Sequence, residues 1–374
     1  MIPTGRRALL GDLRSVLPAW ITARLLVAAA YGLARLLEGG SGSRTARGLT
    51  AWDGDWYVSI LTHGYDGVAR EGARFFPGYV LVGRLFDVVL PGGPVTALLL
   101  VANVASLVAT VLVFRLALAE TADRATALRA AWALSLFPSA FVLVWAYGEG
   151  LFLALALGVL LAARRERWWW CAVMGLAAGL VRPTGALLAL AVVAAACRPT
   201  SVAPQRVVAR VAAVAGGPVG TLAFVWWVSA RFDEAFLPLT VQRELRGDSR
   251  NPLARLVEGL ADLGRSTTWT DGLHAVAAVV VIVVLVALFR TWPARYGVLA
   301  GACLLVALAA DNLNSLERYV FNGVPVVLGV ATLAGYRRFG QLVPVVSGAA
   351  MVVLATAAWD WVLRTMSSGP DLGL

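Results

Sequence analysis

Apolar stretches about as long as a bilayer is thick recur along the whole chain, and they constrain its fold more than any other feature. Of the 374 residues, 59% are hydrophobic and 14% are charged, whereas a soluble globular protein carries roughly 25% charged residues. A transmembrane helix needs about 20 consecutive, mostly apolar residues. The sequence therefore predicts an all-α polytopic membrane protein, in which residues 1–374 form a single integral-membrane domain.

We predict about eleven membrane crossings from these stretches. Residues 39–92 form a first long loop with interfacial helices, and residues 231–271 form a second long loop. In the first loop, residues 76–90 are short for a span and carry Arg84 and Asp87 on one face, which favours a helix lying in the membrane interface. The predicted spans are 16–37, 94–118, 127–146, 148–163, 168–181, 183–197, 207–230, 272–290, 296–310, 319–336 and 341–363.

The arginines indicate how the chain is oriented. All 32 basic residues are arginine, and most lie in short loops between apolar stretches. With the N-terminus in the cytoplasm, every loop on that side is basic, as the positive-inside rule requires. These loops contain Arg124 and Arg129, residues 164–167, residues 198–210, Arg290 and Arg295, and Arg337-Arg338. We therefore expect a multi-pass plasma-membrane protein, and we attribute the net charge of +10 to this orientation rather than to nucleic-acid binding.

In this orientation the unusual polar residues fall on the extracytoplasmic side. Ionisable groups near membrane depth cost roughly 2.5–3.5 kcal/mol each on insertion scales, so their convergence on one side indicates a shared function. The first loop concentrates them in Trp52-Asp53-Gly54-Asp55-Trp56-Tyr57, His63-Gly64-Tyr65 and Phe75-Phe76-Pro77-Gly78-Tyr79. The others on this side are Glu149, Arg182, Asp233, Asp311, Glu317 and Arg318.

Asp53 is the candidate general base. If its segment is helical, Asp53 shares a face with Trp56 and Tyr57, and Asp55 points almost oppositely. A carboxylate on that face can remove a proton from a hydroxyl group. The alternative is helix capping, because Thr50 and Asp53 have the spacing of a capping box. For Asp55, a second acid, an acceptor contact and a solvated charge all stay open.

Each of the other candidates has a structural alternative. Arg182 lies beside a predicted helix N-terminus, where an arginine suits an anion, although its side chain can instead snorkel to the interface. Arg318 opens a span and can hold a lipid phosphate or merely pair with Glu317. For His63, the roles of proton shuttle, ligand, phosphate donor and ordinary hydrogen-bonding loop residue all stay open. Glu149 lies in a tight hairpin and can be merely solvated, and Glu317 can simply pair with its neighbour. The three cysteines are isolated, and no metal-ligand spacing or nucleotide-binding motif occurs.

The loop stretches quoted above resemble those of a known family. Together with Ile60, they are similar to the first luminal loop of PIG-V-type mannosyltransferases, which have many bacterial and especially actinobacterial relatives. Leu61 and Thr62 depart from that pattern, which bears on the acceptor more than on the reaction class. Further stretches resemble the family in the expected order: Tyr147-x-Glu149-x-Leu151-Phe152, Arg182-Pro183-Thr184-Gly185 and Glu317-Arg318-Tyr319.

The resemblance implies a GT-C glycosyltransferase fold and an inverting transfer of a sugar, expected to be mannose, from a polyprenyl-phosphate donor. The acceptor is a hydroxyl on a glycolipid, a glycan or a protein, and the active site is extracytoplasmic. Asp53 is then the base, and Arg182 and Arg318 bind the donor phosphate. Acceptor or sugar contacts are expected from Asp55, Trp56, Tyr57, His63, Tyr65, Phe76, Tyr147, Glu149 and Glu317. No cofactor is required, although a divalent metal stays open, as does a transporter or flippase of a lipid-linked sugar.

Overall fold

The computed structural model is all-helical over the residues that it describes, which are 6–38, 45–197, 204–265, 269–336 and 340–366. In these ranges β-type pairing is limited to an isolated antiparallel bridge between Ser249 and Ala310. The prediction of an all-α protein is confirmed. Arg337-Arg338, and residues 198–203 of the predicted basic stretch 198–210, lie outside the described ranges.

The described ranges contain sixteen α-helices, joined by short loops and 3-10 turns. They are α1 (Arg6–Leu37), α2 (Asp53–His63), α3 (Pro77–Asp87), α4 (Gly93–Thr121), α5 (Arg124–Leu136), α6 (Glu149–Arg164), α7 (Trp168–Val181), α8 (Leu188–Ala196), α9 (Pro204–Arg231), α10 (Leu237–Arg246), α11 (Pro252–Asp262), α12 (Trp269–Thr291), α13 (Ala294–Leu308), α14 (Leu316–Asn322), α15 (Val326–Leu333) and α16 (Leu342–Met366).

Five of these helices are long and apolar enough to cross a bilayer, judged by length and composition. The stretches concerned are Arg7–Leu37, Gly93–Thr121, Arg206–Arg231, Thr270–Thr291 and Leu342–Trp359. Shorter apolar helices also occur, at Trp168–Val181, Pro183–Ala196 and Ala294–Leu308. Since a spanning helix needs about 20 residues, this set is consistent with a multi-pass helical membrane protein.

Three of the predicted spans, 127–146, 183–197 and 319–336, are not continuous α-helices. The first stops at Leu136, just ahead of Pro138, because a proline disfavours helical geometry in the residue before it. The second begins with a 3-10 turn at Pro183, and only then becomes α8. The third is divided between Gly323 and Pro325 into α14 and α15. All of these breaks lie next to proline.

The first loop is helical where the candidate base lies. α2 begins at Asp53, with Trp52 as its N-cap at a left-handed φ of 60° and without a side-chain cap. The hydroxyl of Thr50 donates to the carbonyl of Arg47, so the capping-box interpretation is wrong. The Asp53 carboxylate is consequently not used in capping α2.

α3, which follows Phe76, is an 11-residue helix, about 16 Å long, and so is too short to cross a hydrocarbon core of about 30 Å. It packs on α2, α4 and α7 and exposes Leu81, Leu85 and Phe86. Arg84 is also exposed, with its Nη2 donating to the carbonyl of Leu61 at 3.0 Å. The segment is a short helix with both polar and apolar residues, and its position in the membrane interface stays a prediction.

A polar network from α1 and α4 holds the irregular segment between α5 and α6. Arg24 Nη2 donates to the carbonyl of Leu143 at 3.2 Å, and Asn103 Nδ2 donates to that of Val144 at 3.1 Å. Arg24 Nε also donates to Asn103 Oδ1 at 3.1 Å. Buried carbonyls that a helix would have satisfied need such donors. This network fixes the chain just before Tyr147 and Glu149.

Glycines bring α7 and α9 into backbone contact. A Cβ atom added to Gly179 would lie 2.2 Å from the carbonyl oxygen of Gly217, and one added to Gly220 would lie 2.1 Å from that of Leu176. Small residues allow such close approach between apolar helices. Because α7 ends at Val181, its packing against α9 fixes where Arg182 leaves the helix.

The C-terminal helix anchors the start of the first loop. Trp52 Nε1 donates to the carbonyl of Ala358 at 2.8 Å, and Trp359 Nε1 donates to that of Gly48 at 2.9 Å. Trp359 is fully buried and packs on Tyr31 of α1. Residues some 300 positions apart thus hold the N-terminal end of α2 in place.

Candidate active site

Asp53, the first residue of α2, forms an ion pair with Arg318 of α14. Arg318 Nη1 lies 2.5 Å from Asp53 Oδ2, and both side chains are mostly buried. Arg74 Nη2 lies 4.0 Å from the other carboxylate oxygen. The backbone N–H of Asp53 donates to the hydroxyl of Tyr147 at 3.2 Å, and that hydroxyl donates to the carbonyl of Ala51 at 3.3 Å. The candidate base is therefore fixed by three other parts of the chain.

A second ion pair lies against the first. Glu149, the first residue of α6, is fully buried, and its Oε1 lies 2.6 Å from Nη1 of Arg182. Arg318 Nε lies 3.7 Å from the same oxygen. Arg318 therefore stands between the two carboxylates, and the cluster joins α2, α6, α14 and the turn after α7.

The cluster carries more positive than negative charge. Three arginines (Arg74, Arg182 and Arg318) face two carboxylates (Asp53 and Glu149), so the formal charge is 3 − 2 = +1. The buried Nε atoms of Arg182 and Arg318, and both carboxylate oxygens of Glu149, have no hydrogen-bond partner in the described part of the chain. Surplus positive charge with unused N–H donors favours binding of an anion, because buried polar groups left unpaired are costly.

The arginines set the protonation of Asp53. Burial raises the pKa of its carboxyl group, but the charges of Arg318 and Arg74 outweigh that effect and hold the pKa below its usual value. Asp53 is therefore a carboxylate at neutral pH. It is also a weak base for as long as Arg318 remains against it, since the ion pair stabilises the charged form.

Aromatic side chains form the wall behind the two ion pairs. Tyr57 is buried, with ring centroids 5.2 Å from Phe75 and 4.9 Å from Tyr79, both edge-to-face. A Cβ added to Gly148 would lie 3.3 Å from the Tyr57 hydroxyl oxygen, so a glycine lets α6 approach this closely. Burial raises the pKa of Tyr57, which keeps the hydroxyl protonated as a hydrogen-bond donor. Trp56 stacks on Phe75 at 5.6 Å.

Other sequence-predicted residues lie away from this cluster. Asp55 pairs with Arg47, on another side of α2 from Asp53. His63 is exposed at the C-terminal end of α2, ten residues and about 15 Å along the helix from Asp53. Tyr65 and Phe76 pack on Phe224 of α9, and the Tyr65 hydroxyl donates to the carbonyl of Phe75. Among the described residues, no hydrogen bond or ion pair joins these four to the two ion pairs.

Glu317 is directed to a different partner from its neighbour Arg318. Both of its carboxylate oxygens lie within 2.9 Å of Nδ1 of His274, a residue of α12. The alternative that Glu317 and Arg318 merely neutralise each other is therefore not what this geometry shows. His274 was missed in the sequence, although an ionisable residue within an apolar stretch is a recognisable signal.

Arg74, a member of the cluster, and Arg246, which lies against Tyr319, were also missed. Arg74 ends a 3-10 turn beside Phe75, and Arg246 ends α10 in the second long loop. The guanidinium carbon of Arg246 lies 4.4 Å from the ring centre of Tyr319. In the sequence, Tyr319 was singled out only as part of the stretch Glu317-Arg318-Tyr319. Nothing in the local pattern distinguishes these two from other loop arginines. Their proximity to Asp53 and Tyr319 is a property of the tertiary fold.

The described residues hold no group of three or more His, Cys, Asp or Glu side chains arranged for a metal ion. Comparison with protein-family models found none that matches the chain, and a search of curated proteins found no match either.

Proposed function

We propose that the chain is a membrane glycosyltransferase of the GT-C type, which transfers a hexose, by family resemblance mannose, from a polyprenyl-phosphate donor to a hydroxyl acceptor. The observation that carries the proposal is the pair of Asp53 at the start of α2 with Arg318 of α14. A base candidate and a phosphate-binding candidate, far apart in sequence, lie 2.5 Å apart in a cluster of net positive charge. The resemblance of the surrounding stretches to the PIG-V-type family supplies the reaction.

The proposed chemistry is a single displacement. The acceptor hydroxyl oxygen attacks the anomeric carbon while Asp53 takes its proton. The bond between that carbon and the phosphate oxygen breaks, and its electron pair leaves with the lipid phosphate. Configuration at the anomeric carbon is inverted, because attack occurs opposite the leaving group. Each transfer yields a glycosylated acceptor, a protonated Asp53 and a polyprenyl phosphate.

The arginines stabilise the leaving group. The phosphate is a monoanion in the donor and gains charge as the bond breaks, so cations already in place stabilise the transition state more than the bound donor. Arg182 and Arg318 are the proposed ligands, and their unused Nε donors are available for this contact. An arginine fork suits phosphate geometry better than a single ammonium group.

The same contact would activate the base. Arg318 binds Asp53 in the structure, and a phosphate competes for its guanidinium. Once Arg318 turns to the phosphate, the effect of burial on Asp53 is less opposed, its pKa rises, and the carboxylate becomes a stronger base. The proposal therefore includes an order of binding, with the donor before the acceptor.

The finer topology belongs to the proposal as well. The predicted distribution of arginines supports about eleven crossings, a cytoplasmic N-terminus and an active site on the extracytoplasmic side of the plasma membrane. Nucleotide sugars are absent from that side, which favours a lipid-carried donor. Acceptors on that side are glycolipids, glycans and protein hydroxyls.

A transporter or flippase of a lipid-linked sugar is the second candidate. The helix breaks near Pro138, Pro183 and Pro325 favour it, because discontinuous helices line the substrate sites of many transporters. The polar cluster favours the enzyme, since it presents a carboxylate beside phosphate-binding arginines. Formation of a mannosylated product distinguishes the transferase from the transporter or flippase.

The decisive assay mixes purified protein, polyprenyl-phosphate-mannose labelled in the sugar, and an extract of membrane lipids and glycans as acceptor. We expect label in a new product and stoichiometric release of polyprenyl phosphate. Reconstituted vesicles with the donor on one leaflet test the second candidate. Movement of the donor across the vesicle membrane without any labelled product would replace the transferase proposal with the flippase.

A further inference from the structure

The ring of Tyr319 lies close to two arginines. The guanidinium carbon of Arg246 lies 4.4 Å from the ring centre, and that of Arg318 lies 5.7 Å from it. Gln242 Nε2 donates to the Tyr319 hydroxyl at 3.3 Å. Gln242 and Arg246 are one turn apart on α10, so this helix of the second long loop reaches the candidate active site.

Arg246 differs from Arg182 and Arg318 because no carboxylate lies within 4.0 Å of it in the described residues. Its Nη2 donates to the carbonyls of Asn312 at 3.2 Å and Asn314 at 3.3 Å. Its buried Nε has no partner there. Burial lowers the pKa of Arg246 and the charge of Arg318 lowers it further, and the opposing effects of Tyr319 and Asp271 offset this only in part. Arg246 is thus a poorly solvated cation beside another cation.

Two like charges in poorly solvated surroundings destabilise each other, and an anion placed against both removes that cost. Guanidinium groups bind phosphate through paired N–H···O contacts. A phosphate therefore suits two arginines in its hydrogen-bonding geometry as well as in its charge. Both arginines lie against the same ring, that of Tyr319, which brings them close to each other.

We propose that Arg246, carried by α10, is a second ligand of the phosphate group that Arg318 binds. The identity of that phosphate as the donor lipid rests on the proposed function, whereas the recognition chemistry is shared with free phosphate. Arg318 exchanges between Asp53 and the phosphate, but Arg246 has no carboxylate to leave. It is therefore the cation that is ready for the incoming phosphate.

α10 is held against the first loop by ion pairs. Arg70 of the first loop binds Glu234 at 2.9 Å through Nε and Glu244 at 2.7 Å through Nη1, and so fixes α10 against the first loop. Asp53 comes from the first loop and Arg246 from the second. The phosphate site is complete only when these two loops are together.

The test measures binding rather than transfer. Farnesyl phosphate, farnesol and inorganic phosphate are titrated into the detergent-purified full chain, with Arg246→Gln, Arg246→Lys and Arg243→Gln as variants. Arg243 is the matched control, because it lies on the same helix, is 70% exposed and has its nearest carboxylate, Asp248, at 3.8 Å. Thermal unfolding of each variant checks that it is folded.

We expect Arg246→Gln to weaken binding of farnesyl phosphate about tenfold or more, the size of one lost charge-assisted hydrogen bond. Arg246→Lys should recover part of the loss, because it keeps the charge without the fork, and Arg243→Gln should bind like the wild type. Farnesol should bind equally to all. Inorganic phosphate that competes only weakly identifies a lipid-linked phosphate as the ligand, and phosphate that competes fully identifies the free ion.

Unchanged farnesyl phosphate binding by folded Arg246→Gln would overturn the inference, as would farnesol binding to the wild type as tightly as farnesyl phosphate. The proposed function fails in a different experiment. If the wild type binds farnesyl phosphate through Arg246 but makes no glycosylated product, the phosphate site stands and the transferase does not. If the wild type makes product and Arg246→Gln retains full donor affinity, the transferase stands and the assignment of Arg246 to the phosphate site does not.

Discussion

Arg318 Nη1 lies 2.5 Å from Asp53 Oδ2, although the two residues are 265 positions apart in the sequence. The pair joins the first loop to α14, and it puts a candidate base and a candidate phosphate ligand in direct contact. Each residue therefore controls the availability of the other. The first two predictions follow from this contact.

Asp53→Asn should lower the rate of sugar transfer by about 10²–10⁴-fold, the usual contribution of a positioned general base. Asp55→Asn is the matched control, because Asp55 is two residues away but pairs with Arg47 instead. We expect it to change the rate by less than about threefold, since a partly exposed ion pair contributes little. The measurement is initial-rate transfer from labelled polyprenyl-phosphate-mannose. Equal losses in both variants would argue against Asp53 as the base.

The pH profile of kcat/KM should lack an acid limb above about pH 4 in the wild type. Asp53 acts when deprotonated, so the rate falls as pH falls through its pKa, and Arg318 and Arg74 hold that pKa below its ordinary value of about 3.9. In Arg318→Gln the residual activity should show an acid limb at higher pH, because burial is then less opposed. Arg47→Gln, which removes the partner of Asp55, should leave the profile flat. An acid limb at the same pH in all three proteins would mean that another group titrates.

Glu149→Gln should destabilise the protein by about 3–5 kcal/mol, because it leaves Arg182 buried without its carboxylate. Arg182→Met should destabilise the protein by a similar amount, because it leaves the carboxylate of Glu149 buried without its arginine. The double variant should be more stable than the sum of the single effects predicts, by about 0.5–3 kcal/mol of coupling. Thermal or denaturant unfolding in detergent measures all four proteins. Strict additivity would show that the two residues do not interact.

Gly179→Ala should cost about 1–3 kcal/mol of stability, since a Cβ there would lie 2.2 Å from the carbonyl oxygen of Gly217 and would push α7 away from α9. Gly301→Ala is the control, because an added Cβ meets nothing within 4 Å. That change should be neutral or stabilise α13 by up to about 1 kcal/mol. Unfolding of the two variants is compared in the same detergent. A tolerated alanine at residue 179 would mean that the two helices pack more loosely than described.

Some of the site follows from the sequence, because it depends on local periodicity. Helical spacing separates Asp53 from Asp55, and the structure gives them different arginine partners. The short helix α3 was likewise predicted from its length and its charged pair. The partners of these residues were not predictable, since Arg318 is brought to Asp53 by the packing of many helices. The pairing of Arg182 with Glu149, expected separately as a phosphate ligand and a sugar contact, is of the same kind.

Helix breaks were missed where proline interrupts an apolar run. Hydropathy alone treats residues 319–336 as one span, yet the chain is divided near Pro325, and it is similarly interrupted at Pro138. A hydropathy profile does not show where a proline removes a backbone N–H and so interrupts a helix. The network from Arg24 and Asn103 that satisfies the freed carbonyls joins α1, α4 and the segment before α6, so no local pattern reveals it.

Arg70→Gln should free α10 from the first loop, because Arg70 holds both Glu234 and Glu244. We expect faster amide hydrogen exchange in α10, with the intrinsic rate corrected for pH, and little change in α4. Arg243→Gln, on α10 but exposed, should exchange like the wild type. Because these side chains are partly exposed, 1 M salt should mimic Arg70→Gln in part.

Acid should also release this contact, and the sign follows from Glu234. The hydrogen bond from Arg70 holds the pKa of Glu234 below its usual value. The contact therefore stabilises the folded loops fully above the unfolded pKa of about 4.3, and this is lost as pH falls through the lower folded pKa. Exchange in wild-type α10 should approach that of Arg70→Gln only below about pH 4. Exchange that rises equally in both proteins across this range would show that Arg70 does not hold α10.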